Sequence, residues 1–378
     1  MTITLTRYNL DILNEKARLF NYLNSFLPRA YFKISKNTFT FMLKGQTGVY
    51  QINLEIPEKV EKNVYFSVDY NKWQIMLQKF GSEDSILLET LENSLKVTSN
   101  KSSDYVNLGI IYFKENSSES TIINRFLESK KGETAVDSNK FVLNEETVDA
   151  LDFADNLFNN QSFQSNSIGL SRDQVIYADR AVVLKINLQE PPSRTIQEDD
   201  MAYIHSSTVK LINLLVKTSN IFYFDVSKDF GAFYWEDNIS SIYMVSEDRK
   251  LVIPTEEEFE GIKPQGNYSI EVVNRDLKKC LSFFLGFYDG SAWKPAIFNV
   301  ENSERVIVKY YHPSAEIMKS FEAKVEGKGN FILDSETLRK ILVKTDEEEL
   351  LHIFFDEKAP GILIKSSKYE AVISKLEE

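Results

Sequence analysis

The side chains best able to do covalent or metal chemistry are few in this sequence, and they are scattered. The three histidines, His205, His312 and His352, stand far apart with no metal-ligand spacing around them. Asp179 beside Arg180, and the run Glu256 to Glu258 with Glu260, offer carboxylates to a divalent cation; each has a plainer reading, as a structural ion pair and as a solvated loop. No glycine-rich phosphate loop occurs, and no serine, cysteine or histidine arrangement pairs a nucleophile with a base. Cys280, the single cysteine, has apolar neighbours at helical spacing and reads as a small helix-core residue. These observations predict no catalytic residue, no bound metal and no cofactor, and they argue against an enzyme.

Basic residues carry the stronger pattern. Lys72 and Lys79 are seven residues apart, as are Lys210 and Lys217, so each pair lies on one side of a helix. Arg339, Lys340 and Lys344 put positive charge at a comparable place later in the chain. A second set, Lys16 and Arg18 with Arg275, Lys278 and Lys279, falls on other helical stretches. Lysines and arginines that face phosphates give a salt-sensitive attraction that ignores base sequence. The plain alternative is solvated helix surface. One helical stretch dissents, because Glu145, Glu146, Asp149, Asp152 and Asp155 make it acidic. The net charge of -12 argues against a protein that coats nucleic acid over its whole surface, yet leaves room for a local basic lining.

The elements that must position these cations recur three times. Tyr65 to Ser99, Met201 to Trp235 and Phe331 to Ser366 each read as an extended run, a short amphipathic helix and a two-strand pattern. Taking Asp69, His205 and Asp334 as equivalent, the apolar residues four and seven places on are Trp73 and Met76, Val209 and Ile212, and Leu338 and Ile341. An interval of roughly 130 residues is too long for a solenoid and predicts a triplicated domain, with boundaries at 1–126, 127–263 and 264–378. Each unit carries two helices and many short strands, an α+β pattern. Helices are expected through Leu10 to Phe20, Glu145 to Phe158 and Leu277 to Leu285. Strands are expected at Ile3 to Leu5, Tyr31 to Ile56, Ile86 to Leu88, Leu95 to Thr98, Val175 to Leu188, Val306 to Tyr311 and Gly361 to Ile364. Leu95 to Thr98 and Val306 to Tyr310 are the expected edge strands where two copies would meet. The polar stretch Lys114 to Asn139 has room for a further edge strand.

At 378 residues and 43% apolar content the chain can bury substantial cores. One cysteine rules out an intrachain disulfide framework and predicts a reducing, cytoplasmic setting. No run of about 20 apolar residues occurs, so no membrane association is expected.

Ser167-Ile168-Gly169-Leu170, followed by Val175-Ile176-Tyr177-Ala178-Asp179-Arg180-Ala181-Val182, resembles the second-domain pattern of the bacterial DNA polymerase sliding clamps, the beta processivity subunits. Leu251-Val252-Ile253-Pro254 is similar to that family's proline loop. Phe331-Ile332-Leu333-Asp334 leading to Leu338, and the end Tyr369 to Leu376, are similar to its later strands. Departures occur: Ala178 stands where the family has threonine, no glycine-histidine pair precedes Arg180, and the tail lacks methionine and proline. The resemblance implies three clamp domains per chain, helices inside and antiparallel sheets outside, and a six-domain homodimeric ring around duplex DNA. It implies a replicative DNA polymerase and an ATP-dependent clamp loader as partners, and a setting in the bacterial nucleoid or a phage-infected cell. It places a partner-peptide cleft on Arg180, Val182, Ile253, Pro254, Val372, Ile373 and Leu376. Two non-enzymatic alternatives stay open: a clamp-like ring that recruits transcription or recombination proteins, and a structural oligomer indifferent to DNA.

Overall fold

The computed structural model describes residues 1–17, 29–44, 48–114, 140–157, 167–190, 201–215, 222–227, 230–236, 240–246, 254–265, 268–284, 287, 294–301, 304–312, 315–356 and 358–376, with backbone alone for the strands between 222 and 246. The described helices are α1 (Arg7–Ala17), α2 (Tyr70–Phe80), α3 (Glu145–Asn156), α4 (Ser206–Leu215), α5 (Glu256–Ile262), α6 (Asn274–Phe284) and α7 (Ser335–Val343). Antiparallel strands make up most of the rest, so the chain is α+β.

In all three repeated passages a strand runs straight into a helix, and the anchor residue sits at the junction. Strand Gly48–Asp69 leads into α2, Ala202–His205 into α4, and Gly329–Asp334 into α7. Two anchors are helix caps: Asp69 accepts a hydrogen bond from the Lys72 amide at 3.0 Å, and Asp334 accepts one from the Thr337 amide at 3.0 Å. Each bond satisfies a donor that the first helical turn leaves open. The spaced apolar residues behind the anchors, Trp73 and Met76, Val209 and Ile212, Leu338 and Ile341, are all buried.

The chain divides into two compact units. Unit 1 comprises Met1–Leu143 and Lys210–Glu247. Its sheet runs in the order Thr2–Thr6, Ser85–Thr90, Ser94–Ser99, Tyr105–Tyr112, Gly48–Asp69, Ser240–Ser246, Phe230–Glu236, Phe222–Ser227 and Lys140–Val142, and Arg29–Lys44 also pairs with Gly48–Asp69. Inside it Phe32 stacks on Phe66 at 5.0 Å and meets Trp73 edge-on at 4.7 Å, a cluster of rings that removes much apolar surface from water.

Unit 2 comprises Asn144–Val209 and Asp248–Glu378. One sheet runs Ala202–His205, Ser167–Leu170, Gln174–Ala178, Val182–Asn187, Tyr369–Ser374, Gly361–Lys365, Leu350–Phe355, Tyr268–Val273 and Lys324–Glu326. A smaller one runs Ala315–Glu322, Arg305–His312, Pro295–Val300 and Gly329–Asp334.

Several sequence expectations change. The two expected edge strands lie inside their sheets: Ser94–Ser99 is flanked by Ser85–Thr90 and Tyr105–Tyr112, and Arg305–His312 by Pro295–Val300 and Ala315–Glu322. Two further strands, Tyr105–Tyr112 and Ala315–Glu322, pair outside them and take the outer positions. The stretch Val175 to Leu188 breaks into a hairpin at Asp179 to Ala181. The glutamates Glu256 to Glu258, expected in a loop, open α5. Residues 115–139, where a further edge strand was expected, lie outside the described residues.

Candidate functional site

In unit 1, α2 buries Trp73, Met76, Leu77 and Phe80, and that packing turns Lys72 and Lys79 to solvent. Lys210, on α4, is exposed as well. Among the described residues none of the three is in an ion pair, so their charge is available to an external anion. Lys16 is half-buried in the last turn of α1. Arg18 and Lys217 lie outside the described residues.

The cations of unit 2 are differently placed. Lys278 pairs with Glu347 at 3.1 Å, Arg339 with Glu336 at 3.0 Å, Arg275 with Glu348, and Lys344 with Asp152 of the acidic helix α3. Lys279 is exposed with no ion pair among the described residues, and Lys340 is half-buried. The acids of α3 are largely engaged inside the unit. Glu146 accepts the amides of Gln189 and Glu190, both at 2.9 Å, and Asp155 accepts the Ser206 hydroxyl. Glu145 and Asp149 of the same helix are exposed, so α3 is in part an internal partner and in part an exposed negative face.

The expected cleft residues lie on and beside the nine-stranded sheet of unit 2. Asp179 makes the hairpin turn: one carboxylate oxygen accepts the amides of Ala181 and Val182 at 2.7 and 2.8 Å, and the other accepts the Tyr177 hydroxyl at 2.7 Å. Burial, then the charge of Asp179, pushes the Tyr177 phenol well above its usual range. Asp179 is thus a turn-maker and is in no ion pair with Arg180. Arg180 is exposed, and its carbonyl accepts the Ser374 hydroxyl at 3.0 Å.

Cross-strand register sorts the apolar residues. Ala178, Val183, Val372, Leu363 and Phe354 are successive partners and form one row across five strands. Val182 and Ile373 are opposite each other one position along, and so point to the other face. The cleft residues proposed from sequence therefore do not share a face: Val372 lies on one, Val182 and Ile373 on the other. Pro254 is half-buried just before α5, Leu376 is half-buried with its amide donating to the Ile332 carbonyl at 2.9 Å, and Ile253 lies outside the described residues.

The row under α5 was not foreseen. Phe259 is fully buried on it, with Ile262 packed alongside. The next row on that face is charged, Lys185, Glu370, Lys365 and His352 being successive partners. Lys185 is buried, pairs with Glu256, and lies 3.9 Å from the Phe259 ring centroid. Lys263 lies 4.5 Å from the same centroid and 2.8 Å from Glu370. Burial tends to raise the Glu370 carboxyl, but hydrogen bonds from Lys263 and Lys365 outweigh it and hold the group below its ordinary value. One signal was legible in advance: Thr255 and Glu258 have capping-box spacing, and both bonds of the box form.

Among the described residues no group of three or more histidine, cysteine or acidic side chains could hold a metal, and no helix is long and apolar enough to cross a membrane. Cys280 is buried, and burial pushes its thiol up to about 12, away from nucleophilic use.

Strand-to-helix repeats with antiparallel sheets are the architecture of the sliding clamps, and comparison with solved structures supports that fold over the full length. The DNA polymerase III beta subunit of Pseudomonas aeruginosa superposes with a TM-score of 0.74 at 11% identity, covering 100% of both chains. A beta subunit from Eubacterium rectale gives 0.74 at 11%, covering 100% of this chain and 99% of that one. The Helicobacter pylori beta clamp bound to a DNA ligase peptide gives 0.69 at 13%, covering 100% of both. No protein-family model and no curated protein matches the chain by sequence. At this identity the likeness establishes the fold: that of one beta sliding-clamp subunit.

Proposed function

We propose that this chain is a DNA polymerase processivity factor, a clamp that encircles duplex DNA and tethers the replicative polymerase, placed there by an ATP-dependent loader. The end-to-end match to clamp subunits carries the reading, since whole-length agreement leaves no part of the chain over for another architecture. The exposed Lys72, Lys79, Lys210 and Lys279 supply mobile cations for phosphates, with Lys16, Arg18, Lys217 and Lys340 in the same role and the acid-paired Arg275, Lys278, Arg339 and Lys344 as weaker contributors. No chemistry is required of such a ring, because topology retains it. The Helicobacter pylori clamp is bound to a DNA ligase peptide, and we assign partner capture here to the border of this sheet, where Arg180 is exposed and Pro254 and Leu376 are half-buried.

The ring is a homodimer of three domains per chain, 1–126, 127–263 and 264–378. Its contacts draw on two strand edges. Tyr105 to Gly109 is paired on one side by Ser94–Ser99, whereas Gly48–Asp69 reaches only Ile110 to Tyr112 on the other. Ala315–Glu322 ends the four-stranded sheet. Exposed Tyr105 and Ile111 accompany the first edge, and exposed Met318 the second. Joining such edges satisfies open backbone groups and covers apolar side chains, and two such junctions close a ring. Native mass measurement tests this: a particle of twice the 43.7 kDa chain mass is expected, and a persistent monomer, even after loading on DNA, overturns it.

A further inference from the structure

Arg275 and Lys278 lie in the first turns of α6, and an acidic turn of the same unit lies against them. That turn, between α7 and the strand Leu350–Phe355, carries Asp346, Glu347, Glu348 and Glu349. Glu348 pairs with Arg275, and Glu347 with Lys278 at 3.1 Å. The backbone beneath these acids is fixed. The side-chain amide of buried Asn274 donates to the carbonyls of Leu342, Thr345 and Asp346 at 3.1, 2.9 and 2.9 Å. The main-chain amides of Asn274 and Arg275 donate to the carbonyls of Glu349 and Glu347, both at 2.9 Å. At the far end the Ser367 amide and hydroxyl both donate to the Glu349 carboxylate at 2.7 Å. An exposed ion pair opens easily, but here the fold keeps the acids beside the cations even when it does.

We propose that this turn is a built-in counter-charge to DNA: Glu347 and Glu348 hold Arg275 and Lys278 back from the phosphates and set the grip below what the cations alone would give. The proposal rests on the reading of these helices as the DNA-facing surface. Around the start of α6 the acids, with Asp276 at 3.8 Å from Arg275, outnumber Arg275, Lys278 and Lys279. An approaching phosphate therefore meets a local field that is negative in sum. Helix α2 of unit 1 differs, because its Lys72 and Lys79 are exposed and in no ion pair among the described residues. Phosphate contact thus falls on the free lysines. A ring retained by topology gains little from a stronger hold, since every added contact must break as it slides.

The counter-charge can be removed without touching what holds the turn. The side chains of Glu347 and Glu348 are 62% and 69% exposed, and the bonds that fix the turn run through Asn274, Ser367 and the main chain. Glu347→Gln with Glu348→Gln keeps both side-chain shapes and frees two cations. Each cation that gains a phosphate steepens the fall of log affinity with log salt by about 0.9, so the slope should steepen by up to about 1.8. The ligand is the phosphate backbone, so the gain should not depend on base sequence.

The test uses the full chain and a labelled duplex oligonucleotide, with equilibrium binding read across a salt series. The chain with Glu347→Gln and Glu348→Gln should bind about tenfold more tightly than native at low salt, with the steeper slope. Adding Arg275→Gln and Lys278→Gln to that chain should erase the gain, because the freed cations carry it. A charge-matched control, Glu61→Gln with Glu92→Gln, removes two exposed acids that are in no ion pair among the described residues. It should leave affinity within about twofold of native, since only the local field is at issue. No gain in the acid-free chain, an equal gain in the control, or a gain that survives the loss of Arg275 and Lys278 would overturn the proposal. Absence of duplex binding by native and acid-free chains alike would sink the DNA-facing reading and the proposal with it. Binding by the native chain with no gain in the acid-free one would sink the proposal alone.

Discussion

Lysines with and without a local acid differ in what they can offer a phosphate. Lys72, Lys79, Lys210 and Lys279 are exposed and outside any ion pair among the described residues, whereas Arg275, Lys278, Arg339 and Lys344 already hold carboxylates. Neutralising the first four to glutamine should therefore weaken DNA retention more than neutralising the second four. Each lost phosphate contact should flatten the slope of log affinity against log salt by about 0.9. Equal losses from the two sets, measured on the folded protein across a salt series, would show that the pairs open freely and that the distinction is empty. Asp179 belongs to the fold rather than to metal chemistry. Asp179→Ala removes three hydrogen bonds, one of them from the buried Tyr177 hydroxyl, and should cost about 1–3 kcal/mol in urea unfolding. No change in midpoint would refute its role as the turn-maker.

Helix caps rank by how much each carboxylate does. Asp334 is buried and accepts the Lys294 amide, the Thr337 amide and the Thr337 hydroxyl, while exposed contact at Asp69 is limited to the Lys72 amide. Asp334→Ala should cost about 2 kcal/mol and Asp69→Ala about 0.5–1 kcal/mol, and a reversed order in denaturant midpoints would contradict the assignment. Acid should act on α5 through Glu370. Its folded value is depressed, so its contribution is complete above the ordinary carboxyl value of 4.5 and is lost as pH falls through the lower folded value. Hydrogen-exchange protection of residues 256–262 should accordingly drop below about pH 4.5 in the native chain and show no such step with Glu370→Gln. The helices after Asp69, His205 and Asp334 were legible because polar junction and apolar spacing agree at each. Tyr105–Tyr112 was missed although Val106, Leu108 and Ile110 alternate, because Gly109 and exposed Tyr105 and Ile111 blur the pattern. Ala315–Glu322 carries exposed Met318 and charges, as an edge does, and has little alternation to read. Which face a residue takes depends on register, so Val182 and Val372 looked alike in sequence and only pairing separates them.

At the scale of the whole molecule, full-length agreement with clamp subunits at 11 to 13% identity means that the architecture persists while nearly every side chain has changed. Burial pattern and strand pairing tolerate such exchange, whereas surface charges and groove residues do not need to be kept if partners change with them. That is why the fold was easier to anticipate than the site: the repeated junctions report the fold, and the apolar row under α5 depends on a helix that opens in a glutamate run. The central claim is topological. The most direct measurement loads the protein onto nicked circular DNA with its loader and ATP, and then cuts the circle once in high salt. The account predicts retention on the intact circle and prompt loss after the cut, as a ring slides off a free end. Retention that is the same on cut and uncut DNA would contradict encirclement.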